Sequence, residues 1–301
     1  MVYWPLASSH FPIQTNEGLE WLGSEALRRL PWLRHGFSLR CGGVSARPAE
    51  GLNLGFAHAD SREAVEENRR RFFHALGVEN LLLADLQQVH SARACRATLA
   101  GGAVAYVSAA RSGPDAATGP LAETRAATLQ SKPEADILTT NEPGILLAIR
   151  TADCLPILIA DPERRAIAAV HAGWRGTLEG VTEAAVFEMA RSFASKPASL
   201  LAALGPSIRS CCYEVGPEVE EAFRNRSPEN QAFFLRPNPE SRARLDLVAA
   251  NLAQLDSSGI PSSQIHVADF CTACRTDLFF SHRKEGALTG RMMAVIGIAQ
   301  P

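Results

Sequence analysis

The sequence predicts an α/β (α+β) protein, a single domain over residues 1–301 with packed mixed β-sheets and helices outside them. Three observations carry that expectation. Apolar runs of strand length, separated by turn residues, recur from residue 137 to 298. Amphipathic helical patterns fall between them at irregular intervals, which favours a mixed sheet. A composition that is 46% hydrophobic and 21% charged is that of a folded chain with a sizeable core, and too apolar for disorder.

The elements follow in order. Residues 1–30 are a mixed lead-in, and 35–53 read as short strands and turns punctuated by Gly42-Gly43, Pro48 and Gly51. The spacing of Val65, Phe72, Phe73 and Leu76, with charged residues at 66, 67 and 69–71, predicts a helix over 62–76. Residues 100–133 are rich in Ala, Gly, Ser and Thr with little periodicity, and read as a long surface loop or partly ordered insertion within the domain. Strands are expected at 145–150, 155–160 and 166–170, then a helix at 181–193 and a strand at 200–204. A helix at 217–223 starts with Gly216 as N-cap and Pro217 at the first helical position. A third helix at 245–255, a strand at 265–268 and a closing strand at 292–298 complete the chain.

Charge and motif content exclude several classes. With 30 Lys+Arg against 32 Asp+Glu the net charge is −2, so no basic surplus exists to neutralise a nucleic-acid backbone. The longest apolar runs fall far short of the roughly 20 residues of a membrane span, and residues 1–12 lack a signal-peptide pattern. Neither a nucleic-acid nor a membrane partner is therefore expected. Seven cysteines cannot all pair within the chain, which points to a reducing cytoplasm. No Gly-Lys pair, G-x-G-x-x-G, H-E-x-x-H or G-x-S-x-G is present. The eight histidines include no H-x-H pair, and a trinuclear copper cluster would consume about that many by itself.

The most informative stretch runs from Thr151-Ala-Asp-Cys154 to His171-Ala-Gly-Trp-Arg-Gly176. Two apolar strands lie between, joined by Asp161-Pro-Glu-Arg164, and Asp-Pro suits a type I turn. A two-residue loop at Pro162 and Glu163 would set Cys154 opposite His171; a longer loop would offset them by a residue or two. Thiolate and imidazole could then share a metal ion or form a nucleophilic Cys–His pair. His90, in Gln87-Gln-Val-His90, would complete a three-ligand zinc set with a fourth position open, although spacing alone does not select it over His35 or His282.

Taken together, His35-Gly-Phe-Ser38, Gly42-Gly-Val-Ser45, Leu52-Asn-Leu-Gly55, Asn68-Arg69, Gln88-Val-His90, Thr151-Ala-Asp-Cys-Leu-Pro156, His171-Ala-Gly-Trp-Arg-Gly176, Leu204-Gly-Pro206, Tyr213-Glu-Val-Gly216, Asp246-Leu247 and Phe280-Ser-His-Arg283 closely resemble the YfiH/YlmD family, also called the laccase-domain or polyphenol oxidase family. The resemblance spans about residues 33–298. It implies a cysteine-hydrolase-type α/β fold and a zinc-dependent purine nucleoside enzyme. Such an enzyme phosphorolyses adenosine, inosine and methylthioadenosine and also deaminates adenosine. It places the metal ligands on His90, Cys154 and His171, with zinc favoured over copper.

The resemblance also carries a substrate-contacting arginine onto Arg69, which is expected to act in catalysis and in substrate or phosphate binding. Arg40, Arg175 and His282 are further substrate- or phosphate-binding candidates, with a salt bridge as the other reading of Arg40. Gly173 and Gly176 precede a helix expected near Thr177, where close backbone approach and an anion are both favoured. Asp153 is read either as orienting a ligand from behind or as a strand-end hydrogen bond. His35 is expected to line the pocket with His282; His10, His58, His74 and His266 carry no assigned role. Cys271-Thr-Ala-Cys274 lacks the Pro and the upstream H-x-E of a cytidine deaminase, and Cys41, Cys95, Cys211 and Cys212 read as incidental thiols. Two alternatives stay open: a metal-free Cys154/His171 hydrolase, of a cell-wall-precursor amidase type, and a polyphenol oxidase. The expected partners are purine nucleosides and phosphate, with the chain a monomer or weak homo-oligomer.

Overall fold

The computed structural model describes residues 11–56, 60–108, 132–238 and 240–300. His10, His58 and residues 109–131 of the expected insertion lie outside them. Two sheets stack face to face. One has six strands in the order Ile13–Asn16, Leu19–Leu22, Leu33–Ser38, Met292–Ile298, Ile145–Thr151 and Leu82–Ala84. The other has seven: Ile265–Val267, Leu201–Leu204, Leu155–Asp161, Ala166–Ala172, Ile137–Thr140, Ala94–Ala100 and Ala103–Ser108. Both are mixed, with parallel pairs at Leu82–Ala84 with Ile145–Thr151, at Leu201–Leu204 with Ile265–Val267 and at Ala94–Ala100 with Ile137–Thr140.

Side-chain alternation builds the layers, because successive residues of a strand face opposite sides. Leu147, Ile149 and Ile296 of the first sheet meet Leu158, Ala160, Ile167 and Ala169 of the second in a shared core. The intervening residues point the other way. Leu146, Ala148, Met293 and Val295 bury Phe72, Ala75 and Leu76 of the helix Arg62–Leu76. Ile157, Ile159, Ala168 and Val170 bury the helices Val181–Phe193, Pro217–Arg226 and Leu247–Ser257. The architecture is therefore helix, sheet, sheet, helix, and each sheet is buried on both faces, which is why its strands read as continuous apolar runs.

Several boundaries differ from the sequence reading. Ala103–Ser108, assigned to the insertion, is a strand that pairs with Ala94–Ala100 across Gly101-Gly102. Both glycines take positive φ, 60° and 79°, as a tight hairpin turn requires. The helix Pro217–Arg226 runs three residues beyond 223. The next helix begins at Leu247 rather than 245, because Leu245 pairs with Phe234 and the Asp246 carboxylate caps the Ala249 N–H at 2.9 Å. The two-residue loop after Asp161 is also wrong. Asp161 pairs with Ala166, and its carboxylate accepts from the N–H groups of Glu163 (2.8 Å) and Arg164 (3.0 Å) while Arg165 turns the chain at φ 49°. His171 consequently faces Pro156 instead of Cys154.

Candidate metal centre and active site

The register shift leaves Cys154 just ahead of one strand and His171 near the end of its neighbour, so both reach the same end of the seven-stranded sheet. His90 arrives from a loop whose left-handed backbone, φ 60° at His90 itself, turns the ring toward them. Cys154 Sγ lies 3.9 Å from His90 Nε2, and the two imidazoles meet edge to face with centroids 4.8 Å apart. One donor atom from each residue falls within 4.8 Å of the others. The structure thus brings together the trio that the resemblance implied. Two imidazole nitrogens and one thiolate suit a tetrahedral zinc ion with one position left open.

A residue that the sequence reading missed holds this arrangement. Asp136 is fully buried and accepts from the backbone N–H groups of Val89 (3.3 Å), His90 (3.0 Å) and Ser91 (2.6 Å). The same carboxylate receives the Ser91 hydroxyl at 2.9 Å and His171 Nδ1 at 2.7 Å. Asp136 therefore shapes the His90 loop and fixes the His171 ring with Nε2 free to ligate. Burial opposes its ionisation, but His171 and Ser91 outweigh that and hold the carboxyl below its usual range. Burial likewise opposes the Cys154 thiolate, yet His171 and His90 bring its pKa down to about 6. His171 is raised to about 9 against burial by Cys154 and Asp136. The only sequence signal of Asp136 is a carboxylate one residue ahead of an apolar strand.

Gly173 explains how the chain passes so close. A Cβ there would sit 2.8 Å from His90 Cδ2 and 3.1 Å from Cys154 Sγ, closer than side chains tolerate. The following helix is Trp174–Leu178, beginning three residues before the expected Thr177.

The trio faces a cavity of about 680 Å³. Arg150, Arg175, Arg283 and Arg291 line it together with the flat apolar surfaces of Phe56 and Trp174. His282 lines it as expected. The Arg175 guanidinium stacks 4.2 Å from the Trp174 ring; the residue is exposed at the cavity rim, and among the described residues its side chain makes no hydrogen bond, so its donors are unclaimed. Arg150, by contrast, donates to the Leu86 carbonyl at 2.6 Å and approaches Asp85 at 3.3 Å. Arg283 donates to the Glu214 carbonyl at 2.8 Å, and Arg291 to that of Thr289 at 2.7 Å. The sequence reading overlooked Arg150, the penultimate residue of Ile145–Thr151, and Arg291, one residue ahead of Met292–Ile298, both at the end where the ligands gather.

Other expectations need correction. Arg40 is not at the cavity: it donates to the Thr276 carbonyl at 2.6 Å and pairs with Glu285 at 2.8 Å, the salt-bridge reading. His35 is also elsewhere, accepting the Ser24 N–H at 2.8 Å, and burial lowers its pKa to about 4. Arg69 is buried rather than solvated, but it does not line the cavity. It donates to the Leu54 carbonyl at 2.9 Å, and its guanidinium carbon lies 4.5 Å from the centroid of the Phe56 ring, which does line the cavity. Asp153 holds no metal ligand; its carboxylate accepts from Thr272 Oγ1 (2.6 Å), Ser281 Oγ (3.1 Å) and the Arg283 N–H (2.7 Å), which fixes the loop that carries His282 and Arg283.

Fold and site together define a four-layer α/β protein with a His–Cys–His donor set in an arginine-lined cavity. Residues 34–299 match the family described as multi-copper polyphenol oxidoreductase laccase, and the chain belongs to this laccase-domain (YfiH/YlmD) family. It is 37% identical over 264 residues to a Deinococcus radiodurans protein named purine nucleoside phosphorylase, covering 88% of each chain. It is 40% identical over 156 residues to adenosine deaminase RL5 of an unknown prokaryotic organism, covering 52% of this chain and 59% of that one. The crystal structure of YlmD from Geobacillus stearothermophilus superposes with a TM-score of 0.79 at 32% identity, covering 96% of this chain and 99% of the other. The fold class expected from the sequence is therefore the one observed. No described helix is long and apolar enough to cross a membrane.

Proposed function

We propose that this chain is a zinc-dependent purine nucleoside phosphorylase acting on adenosine, inosine and methylthioadenosine, and that the same cavity deaminates adenosine. The observation that carries the reading is the pairing, in one cavity, of a three-ligand donor set with an unclaimed arginine and aromatic faces. Phosphorolysis needs an anion site beside the ribose and stabilisation of charge on the departing purine. Arg175 supplies the first, with its fork of donors held open by Trp174. Phe56 and Trp174 offer surfaces on which a purine can stack. His282 adds a donor, and its loop is held in place by Asp153.

Zinc on His90, Cys154 and His171 would supply Lewis acidity near neutral pH, the chemistry that deamination requires. Copper fits less well with multi-copper chemistry. Among the described residues the other group of three or more potential metal donors is all cysteine, not the histidine cluster such an oxidase needs. The seven cysteines, all free, suit a reducing cytoplasm. We read residues 1–301 as one domain.

A second reading has its own observation. Cys154, His171 and Asp136 line up as nucleophile, base and orienting carboxylate, the arrangement of a cysteine hydrolase. Substrate panels and chelation separate the two. Under the first reading adenosine without phosphate yields inosine, inosine without phosphate stays intact, and added phosphate converts inosine to hypoxanthine and ribose 1-phosphate. Strong chelator abolishes turnover and zinc restores it. Release of free ribose at equal rates with and without phosphate, or iodoacetamide-sensitive turnover indifferent to chelator, overturns it.

A further inference from the structure

Four cysteines that the sequence reading set aside converge at a second place. Cys211 and Cys212 sit in the turn that follows the strand Leu201–Leu204, closed by the Cys212 and Tyr213 N–H groups donating to the Arg209 carbonyl at 2.9 Å. Cys271 and Cys274 sit in the turn that follows Ile265–Val267, where Cys274 and Arg275 donate to the Cys271 carbonyl at 3.2 and 3.1 Å. The two strands are parallel neighbours, so both chains leave the sheet at the same end. A bridge between Ser207 and Cys271 keeps the turns side by side. Cys212 and Cys274 are 62 residues apart in sequence, yet their Sγ atoms are 3.3 Å apart. Cys211 Sγ is 3.6 Å from Cys274 Sγ, and all four sulfurs lie within 4.8 Å of one another.

We propose that Cys211, Cys212, Cys271 and Cys274 form a second, structural metal site that binds one zinc ion through four thiolates. Four sulfurs about 2.3 Å from a tetrahedral zinc stand about 3.8 Å from each other, close to the spacing already present. An all-sulfur tetrahedral set selects zinc among the common divalent ions. The C-x-x-C half has the ligand spacing of structural zinc sites, and Cys271 Sγ accepts the Arg209 N–H at 3.4 Å, a bond that stabilises a thiolate. Binding releases the four thiol protons as four Zn–S bonds form, leaving a centre of charge −2. Half-buried Arg209 offsets part of that charge. It lies near Cys211 and Cys271 and is anchored on the carbonyls of Ala268 and Phe270.

The site has a structural consequence for the cavity. The turn at 209–213 carries Tyr213 and follows Ile208, and the chain beyond Cys274 carries His282 and Arg283; all four residues line the cavity. Arg283 also donates to the Cys212 carbonyl at 3.4 Å. A metal at the tetrad would clamp together two loops that form one wall of the active site, and it has no open position for substrate.

Elemental analysis of the full chain, purified with reductant and supplied with zinc, tests this independently of any activity. The expected stoichiometry is two zinc ions per chain. Cys154→Ala keeps one, and Cys271→Ser/Cys274→Ser keeps the other. Cobalt-loaded Cys154→Ala shows the intense sulfur-to-cobalt charge-transfer band of a tetrathiolate, and the additional tetrad substitution removes it. The Cys154→Ala readings do not depend on whether the tetrad variant folds. Zinc-free Cys154→Ala overturns the site, and so does a disulfide within the tetrad recovered by mass spectrometry from protein isolated without air. If the phosphorylase reading fails while two zinc ions are found, the tetrad stands.

Discussion

The His90–Cys154–His171 trio and the Cys211–Cys212–Cys271–Cys274 tetrad are built from similar donors by different means. The trio sits at sheet ends and takes its geometry from one buried carboxylate, Asp136, with its free side toward the cavity. The tetrad takes its geometry from two turns held together by parallel strands, and its sulfurs face one another. The electrostatics diverge accordingly. In the trio two imidazoles bring the Cys154 thiol down to about 6. In the tetrad burial and neighbouring sulfurs push Cys212 up to about 11, while at Cys271 burial is outweighed by the Arg209 and Cys274 N–H groups, which draw that thiol down. A mixed, incomplete set beside a cavity is prepared for chemistry, whereas a complete sulfur set within a wall is prepared for holding.

The sharpest way to break this contrast is to remove a trio ligand. His171→Ala should reduce both phosphorolysis and deamination by more than about 10³-fold, on the scale of a missing catalytic metal ligand, and should also lower stability, because it leaves the buried Asp136 carboxylate without its imidazole partner. Steady-state kinetics checks it; turnover within about tenfold of the parent chain would remove His171 from the site. Arg175→Ala comes next and should lower phosphorolysis by roughly 10²–10³-fold, the scale of one lost preorganised donor. Deamination by the same variant should fall far less, because phosphate takes no part in it. Equal losses in both assays would remove Arg175 from the phosphate site.

Two buried histidines sharpen the comparison further. His35 has its pKa depressed to about 4 by burial, so the folded state disfavours the proton that the unfolded chain accepts near 6.5. Its contribution is complete above pH 6.5 and is lost as pH falls toward 4, to a total of about 3 kcal/mol. Urea titrations from pH 7 to 4 should therefore show a flatter stability profile for His35→Gln than for the parent chain. At Asp136, substitution by Asn keeps the shape but removes the charge behind His171. Zinc affinity of the trio should weaken by roughly 10–100-fold, measurable by competition with a chromophoric chelator, with the tetrad unaffected. The smallest effect is expected at Arg71, an exposed partner of Glu67. Arg71→Ala should shift stability by no more than about 0.5 kcal/mol and leave the kinetics within twofold.

Legibility in the sequence followed the range of the interactions. The strands around Cys154 and His171 were readable because burial on both faces makes them continuous apolar runs. Their register was misread by two residues because the Asp161 carboxylate builds a longer turn than Asp-Pro suggested. His90 could not be chosen by spacing, since what orients its loop is Asp136, 46 residues further on. The tetrad was invisible for the same reason: only the pairing of Leu201–Leu204 with Ile265–Val267 makes two cysteine pairs into one cluster. Arg40 and Arg69 show what a shared motif does not place. An arginine in such a motif reads as a substrate contact, but Arg40 ties two loops, and Arg69 is buried beside the Phe56 ring with its Nη2 making no hydrogen bond among the described residues.

The active site straddles a seam. His171 lies in the seven-stranded sheet with Cys154 one residue ahead of a neighbouring strand, whereas Arg150 lies in the six-stranded sheet with Arg291 one residue ahead of a neighbouring strand there. The core between the sheets, with Leu158 and Ile167 on one side and Leu147 and Ile296 on the other, keeps the donor set in phase with its cationic wall, helped by Gln88 of the His90 loop, whose side chain bonds both backbone groups of Arg150 at 2.8 Å. A small slip of one sheet over the other would leave every strand intact and every helix in place, yet misalign the two halves of the site. Close packing resists such shear because interdigitated side chains cannot slide without opening voids. Catalytic alignment in this molecule is thus a property of its apolar interior, and it should be lost on heating before the secondary structure is.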